Sequence, residues 1–399
     1  MHKNIKHLTN VISITLGFRL FSMSIIIPFL SAYSMKLEGG SPSLTGYALG
    51  IFGLTQALLQ IPFGALSDRI GYKKVMLAGL VMLITGLLTA AYATTIYWLV
   101  FARALQGSGA IVTVGYSWLS SVSGDDERDK VLTKLGALLA TFTMLSYVVG
   151  PLVHIFLSVS QMFLFSAGLI SGCFLWVLLG TRQVNPEQRK EHTQKNKGRS
   201  VFSLSNFARS LLLTFNNLLM MAFFFMLPLL LQGHMETNQM WMILTPSILV
   251  AIGVLPFFSK KVSMGHPKPI LNILFLLMGA GFLLISFRTI LSVTAGSIFL
   301  MAGSFTVASV VPMLINKKMD NRQRGKGNGF MVSLQYLGSF LGAAVTGRLW
   351  SFGPVVTFSF TAMVILASIL LVNFGDRKKQ KLISARLESW EKNKNAKML

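Results

Sequence analysis

Carboxylates are missing from the interior of every long apolar run in this 399-residue chain. All 13 Asp and Glu fall in polar stretches or at the ends of apolar ones; Glu38, Asp68, Glu236 and Asp376 come nearest. Charge of either sign is scarce, 12% of residues, where a soluble domain carries about 25%. Such a chain is not built to be wetted on all sides. The single cysteine, Cys173, excludes a disulfide framework and, lying in an apolar run, reads as core packing. The six His show no metal-ligand spacing. No G-x-x-x-x-G-K-[ST] loop occurs, which excludes ATP bound at a P-loop as the direct energy source. No nucleophile–base set falls in an apolar run, so neither an enzyme nor a cofactor is expected.

What fills the chain is hydrophobic: 53% of residues, with 30 Phe and 21 Met. Runs near the bilayer-crossing length of about 20 residues recur along it. Twelve are centred near Ile25, Leu54, Leu83, Ile111, Met144, Leu169, Leu219, Leu249, Phe275, Leu300, Leu334 and Ile365. In hydrocarbon the backbone must satisfy its own hydrogen bonds, so these runs are helices. The expected fold is an all-α membrane protein of twelve transmembrane helices. The start, MHKNIKHLTNVISITLGF, has the charge pattern of a signal peptide but no small-residue cleavage site, and is expected to remain as helix one.

The net charge of +23 is explained by topology. With the N-terminus in the cytoplasm and alternating spans, 31 of the Lys and Arg fall on the cytoplasmic side. Three fall outside (Lys36, Arg288, Arg348) and two within spans (Arg19, Arg103). This is the positive-inside asymmetry, which needs no nucleic-acid partner. Both termini are therefore expected in the cytoplasm, and the protein's surroundings are lipid.

The chain repeats itself. Pro62 and Pro256, Gly71 and Gly265, and Lys74 and Lys268 are each 194 residues apart. So are Asp126, Arg128 and Lys130 with Asp320, Arg322 and Arg324. The expected organisation is a six-helix bundle over 1–181, a basic linker over 182–206, a second six-helix bundle over 207–375 and a basic tail over 376–399. Two parallel repeats of this kind suit a transporter with its substrate between them. In the tail, Ile383, Leu387 and Trp390 suit either an amphipathic helix on the inner leaflet or a plain solvated segment.

Between helices two and three, Gly64, Asp68, Arg69, Gly71, Lys73 and Lys74 read G-x-x-x-D-R-x-G-x-K-K. Topology accounts for the lysines and a bend for Gly71, but Asp68 adds nothing to topology. Helix four opens with RALQGSGA, containing Arg103 and Gln106. Helix five has SYVVGPLVHI, with Gly150 and Pro151, and His154 in place of the expected paired glycines. These motifs resemble the major facilitator superfamily, in particular its drug:proton antiporters of the bacterial YajR type, without their soluble C-terminal domain. Tyr72 stands where that family usually has Arg.

The resemblance implies proton-coupled efflux by alternating access in a bacterial inner membrane, with a small-molecule substrate and a monomeric protein. It implies that Asp68 latches against the start of helix eleven, RGKGNGFMVSLQYLG, in the outward-open state, and that Arg103 takes part in proton coupling. An unpaired helix N-terminus does attract a carboxylate. Lys73, Lys74 and Arg69 are expected to pair with Asp125, Asp126, Glu127 and Asp129.

Read from the residues alone, Arg19 at the centre of helix one marks a pathway or a hydrogen-bonding post for carbonyls, Gln56 or Gln60. Gln56, Gln60, Asn216, Asn217, Gln335 and Tyr336 are candidate cavity residues, with helix–helix hydrogen bonding the competing role. Arg19 and Arg103 without an acidic partner favour an anionic or zwitterionic substrate. A proton would then act through His154, Asp68 or the substrate. The alternatives are multidrug efflux, a dedicated anion transporter (a carboxylate siderophore, for example), or a sensor that retains the fold.

Overall fold

The computed structural model describes residues 2–181, 204–317 and 324–395. The described part of the chain is helical, apart from one isolated bridge between Glu38 and Thr95. The helices are α1 (His2–Ser24), α2 (Ile27–Lys36), α3 (Pro42–Ile70), α4 (Tyr72–Ala91), α5 (Ile96–Ser108), α6 (Val112–Val122), α7 (Asp125–Phe156) and α8 (Val159–Gly180). They continue with α9 (Leu204–Leu231), α10 (Trp241–Ser263), α11 (Pro267–Ile285), α12 (Ile290–Asn316), α13 (Arg324–Trp350) and α14 (Pro354–Asn395). Most of the linker expected over 182–206, the turn 318–323 with Asp320 and Arg322, and residues 396–399 lie outside the described residues.

Local chemistry sets the helix ends. Ser41 caps α3 by accepting from the Leu44 amide at 3.3 Å, with Pro42 in the first turn. Ser158 and Gln161 form a reciprocal capping box at α8. The α3–α4 turn needs a left-handed backbone, supplied by Gly71 at φ +101°; Gly265, 194 residues later, closes α10 at φ +102°. The sequence repeat is thus a repeat of backbone geometry.

Ten helices are long and apolar enough to cross a membrane, and α1 with α2 forms an eleventh crossing bent by 43°. Pro28 at the start of α2 lacks the donor that would carry helix one through the bend. The twelfth crossing is divided. Instead of one helix four, α5 has 13 residues and α6 has 11, joined through Gly109, Ala110 and Ile111. Among the described residues, ten crossings, the bent eleventh and the divided α5–α6 pair make this a multi-pass membrane fold. We call the side where α8 ends and α9 begins the linker face, and the opposite side the far face.

Burial separates inner from outer helices. In α9, 83% of the crossing stretch is buried, and in α12 61%, against 28% in α7, α10 and α14. The Phe223–Phe225 run of α9 is fully enclosed. The two halves meet most closely where α3 and α13 cross toward the far face. A Cβ on Gly46 would meet the Ala343 carbonyl, and one on Gly50 would lie 2.9 Å from that of Phe340. Gly53 faces the carbonyl of Tyr336 in the same way. Spacing of four and three residues puts all three glycines on one helix face, so two backbones touch without side chains between them.

Gly46→Val is therefore expected to hold the far face apart. A cysteine placed at the buried Thr346 should then react with a membrane-impermeant maleimide about tenfold faster or more, a shift of ~1.4 kcal/mol in the opening equilibrium. Equal labelling of Thr346→Cys with and without the Gly46→Val substitution would show that the glycine contact is not what closes this face.

Candidate functional site

The break in the fourth crossing frees backbone groups inside the membrane, where no water meets them. Between α5 and α6 only short two-residue bonds form: Ala110 N to Ser108 O and Ile111 N to Gly109 O, each 2.9 Å. Arg19 supplies a further donor. Its Nη2 donates to the Gly109 carbonyl at 3.0 Å and to Gln56 Oε1 at 2.6 Å. Because Gln56 must present its oxygen to the guanidinium, its amide nitrogen faces on and donates to Gln60 Oε1 at 2.7 Å. A polar line thus runs from the break, through helix one, along α3 toward the linker face. Arg19 and Gln56 are fully buried. The Tyr336 side chain of α13, from the other half, also lies against the Arg19 guanidinium.

Arg103 belongs to a second layer. Its Nε donates to the Ala48 carbonyl at 3.3 Å and its Nη1 to Gln106 Oε1 at 2.7 Å, while Gln106 Nε2 donates to the Gly86 carbonyl at 2.8 Å. The cation also stands 5.0 Å from the centre of the Phe52 ring. Arg103 and Gln106 therefore tie α5 to α3 and α4. Six residues separate Arg103 from Gly109, about 9 Å along a helix, so the two arginines belong to separate hydrogen-bond clusters.

Phe52 links the layers to the other half. Its ring meets that of Tyr336 edge-on at 5.9 Å. Tyr147 of α7 stacks on Phe224 of α9 at 5.4 Å and tilts against Phe305 of α12 at 5.7 Å. Ser31 donates to the Phe224 carbonyl at 3.3 Å. Phe52, Tyr147 and Phe305 escaped sequence reasoning, because nothing in an aromatic-rich chain distinguishes a bridging ring from a packing one.

The other expected residues are dispersed. His154 closes the far end of α7, its Nδ1 3.0 Å from the Leu157 carbonyl and its ring 4.1 Å from that of Phe29. Phe29 is ten residues beyond Arg19, about 15 Å along the helix, so His154 does not join the arginine. Gly150 instead fits against the bend of helix one, where a Cβ would lie 2.8 Å from the Ile25 carbonyl. Asn217 donates back to the Leu213 carbonyl of its own helix at 2.9 Å, whereas Asn216 is buried with its Oδ1 unmatched. Gln335 is half-buried beside Tyr336. Arg209, assigned above to the cytoplasmic side, lies inside α9 and donates to the Leu314 carbonyl at 3.1 Å.

In the α3–α4 turn, Asp68 is half-buried and accepts from the Tyr72 hydroxyl at 3.2 Å, and the Tyr72 ring stacks on Trp118. Lys73 reaches the end of α8. Its Nζ donates to the Leu178 and Thr181 carbonyls at 2.8 and 2.5 Å, closing the last turn of α8, where the free carbonyls gather negative potential. Gly64 lies against Thr113 of α6; Arg69 and Lys74 are exposed. The side chains of Asp125, Asp126 and Asp129, and those of 318–326 at the start of α13, lie outside the described residues.

Residues 12–343 match the family model of the Major Facilitator Superfamily. The chain belongs to that superfamily. Among curated members, it is 29% identical over 344 residues to the inner membrane transport protein YajR of Escherichia coli K12, covering 82% of this chain and 74% of that one. It is 29% identical over 334 residues to the uncharacterized transporter BU466 of Buchnera aphidicola (strain APS), covering 81% and 85%. The multi-drug resistance efflux pump PmrA of Streptococcus pneumoniae is 30% identical over 171 residues, 39% of this chain and 41% of the pump. Among solved structures, a bacterial homolog of the human lysosomal transporter Spinster, inward-facing and occupied, superposes with TM-score 0.73 at 11% identity over 93% of this chain and 97% of the homolog. These relatives are named as transporters or efflux pumps. Within the superfamily fold the Arg19 cluster faces the opposite half, whereas the Arg103 cluster joins helices of one half.

Removing Gln106 would strand one nitrogen of the enclosed Arg103. Gln106→Ala is expected to destabilise the protein by about 1–3 kcal/mol, lowering its unfolding temperature in detergent. Lys74→Ala, at an exposed side chain, should leave that temperature within error. Equal temperatures for the two variants would show that the Arg103 layer does not brace the bundle.

Proposed function

We propose that the protein exports small molecules from the cytoplasm across a bacterial inner membrane, by alternating access of two six-helix halves, with inward proton flow as the driving force. The observation that carries this reading is the mutual arrangement of the halves. They touch backbone to backbone through Gly46, Gly50 and Gly53 toward the far face, and they share a buried cation and aromatic rings near the middle. A site between two bodies that close at one end is what alternating access needs. The basic residues put the linker face in the cytoplasm. The halves then correspond to 1–181 and 207–375, joined by the cytoplasmic linker and acting as one monomer. Each proton moving down 100 mV supplies about 2.3 kcal/mol.

Export follows the similarity to the efflux pump PmrA and the signature turn, where Asp68 acts as the cytoplasmic latch. Because no carboxylate sits between the ends of any span, the proton travels through Asp68 or on the substrate itself. A second reading, a dedicated transporter of one anionic metabolite, is favoured by the acid-free interior around Arg19.

The test compares small molecules inside and outside cells that have or lack the gene. At least one compound should accumulate inside the deletion strain, leave again when the gene is restored, and stay behind when a protonophore is added. Asp68→Asn should retain normal expression and cut export at least about tenfold, since the loss of a carboxylate at a partly buried helix end is worth up to ~2 kcal/mol. No retained compound, together with unchanged drug sensitivity, would overturn the reading of an exporter.

A further inference from the structure

The two buried guanidinium groups are held differently: Arg103 bonds through two nitrogens to its own half, and Arg19 through one. No buried nitrogen of Arg103 lacks an acceptor, and the Phe52 ring covers its face. Arg19 differs. It is 0% exposed, both its hydrogen bonds leave from Nη2, and Nε and Nη1 have no hydrogen-bond partner among the described residues. A guanidinium carries five N–H donors, so three remain after Gln56 and Gly109 are served. The Tyr336 phenol alongside can accept one of them, and its own O–H then also seeks an acceptor.

The groups around Arg19 bring no negative charge. Gln56 and Gln60 on α3, the broken backbone at Gly109, Tyr147 on α7 and Tyr336 on α13 are all neutral, and every Asp and Glu lies at or beyond a span end. A buried cation without a counter-ion costs several kcal/mol. The sharpest local demand is therefore for an oxygen bearing negative charge, placed between Arg19 of one half and Tyr336 of the other. What lies next to that position is flat and apolar: the Phe52 edge on Tyr336, with the Tyr147 ring near the same phenol.

We propose that Arg19 and Tyr336 form an anion site for a substrate with one negative charge on a flat, apolar body, that is, an aromatic carboxylate or sulfonate. The inference rests on the transporter reading and narrows it. Because Arg103 is tied to helices of its own half and covered by the Phe52 ring, one cation rather than two faces the ligand, and the site suits a monoanion better than a polycarboxylate. The ligand takes the nitrogens that Gly109 and Gln56 do not use, so binding leaves the cap of the broken helix in place.

The experiment measures binding to the purified full-length protein in detergent by calorimetry. The probes share one body: naphthalene-2-carboxylate, 2-naphthamide and 2-naphthylmethylammonium. The carboxylate should bind at least about tenfold tighter than the amide, since a charge-assisted hydrogen bond is worth about 1.5–3 kcal/mol. The ammonium should show no saturable binding. Arg19→Gln should erase the preference for the carboxylate, Arg103→Lys should keep it, and Tyr336→Phe should weaken the carboxylate several-fold while leaving the amide unchanged.

Equal binding of carboxylate and amide by the native protein would overturn the site, as would a preference that survives in Arg19→Gln or disappears in Arg103→Lys. Should Arg19→Gln not fold, the native series and Tyr336→Phe still decide. Charge-selective binding by a protein that moves nothing across vesicles would remove the transporter reading and keep the site. Transport that ignores probe charge would do the reverse.

Discussion

The bond from the Arg19 guanidinium to the Gly109 carbonyl is the contact on which the rest of this interior depends. A crossing that breaks in mid-membrane exposes backbone groups that hydrocarbon cannot satisfy, and helix one answers with a cation. Placing an Arg there costs roughly 2.5–3.5 kcal/mol on insertion scales. The cost is offset only in part by two acceptors, which leaves an electropositive centre facing the other half. The orientation of Gln56, the line to Gln60 and the position of Tyr336 all follow from where that guanidinium must sit.

The two repeats share a backbone plan and divide the chemistry unequally. Adding 194 to the polar residues of the first half leads to apolar or small ones in the second: Arg19 to Leu213, Gln56 to Val250, Gln60 to Val254 and Arg103 to Ser297. Gly109 corresponds to Gly303, yet α12 passes through Gly303 as one helix. A guanidinium stands at the break in the first half, whereas the second half has Leu213 at the matching place. The first half thus contributes the cations and amides, and both halves contribute rings, with Phe52 and Tyr147 from the first and Phe224, Phe305 and Tyr336 from the second.

Much of this was legible in the sequence because bilayer physics leaves few choices. Apolar runs near bilayer length, the 194-residue offset and the basic loops were enough for twelve crossings in two sets. Gly71 could be read as a bend, and its φ of +101° is one that only glycine adopts at no steric cost. The break in helix four was not legible: QGSGA is rich in small residues, but such residues serve close packing as often as a break. Nor could hydropathy distinguish Arg19 from Arg103. Both are lone cations in apolar runs, and only the facing helices reveal that Arg103 meets Ala48, Gln106 and Phe52 while Arg19 keeps unmatched nitrogens. The partners of Lys73 were not legible either, because backbone carbonyls such as those ending α8 leave no mark in the sequence.

The most direct measurement is hydrogen–deuterium exchange of the peptide covering residues 105–115, in the native protein with and without naphthalene-2-carboxylate and in Arg19→Gln. If one guanidinium both caps the break and receives the anion, the ligand will slow exchange at Ala110 and Ile111, and the substitution will speed it. Exchange in this peptide that responds to neither would contradict the account, because Arg19 would then neither hold helix four nor meet the substrate.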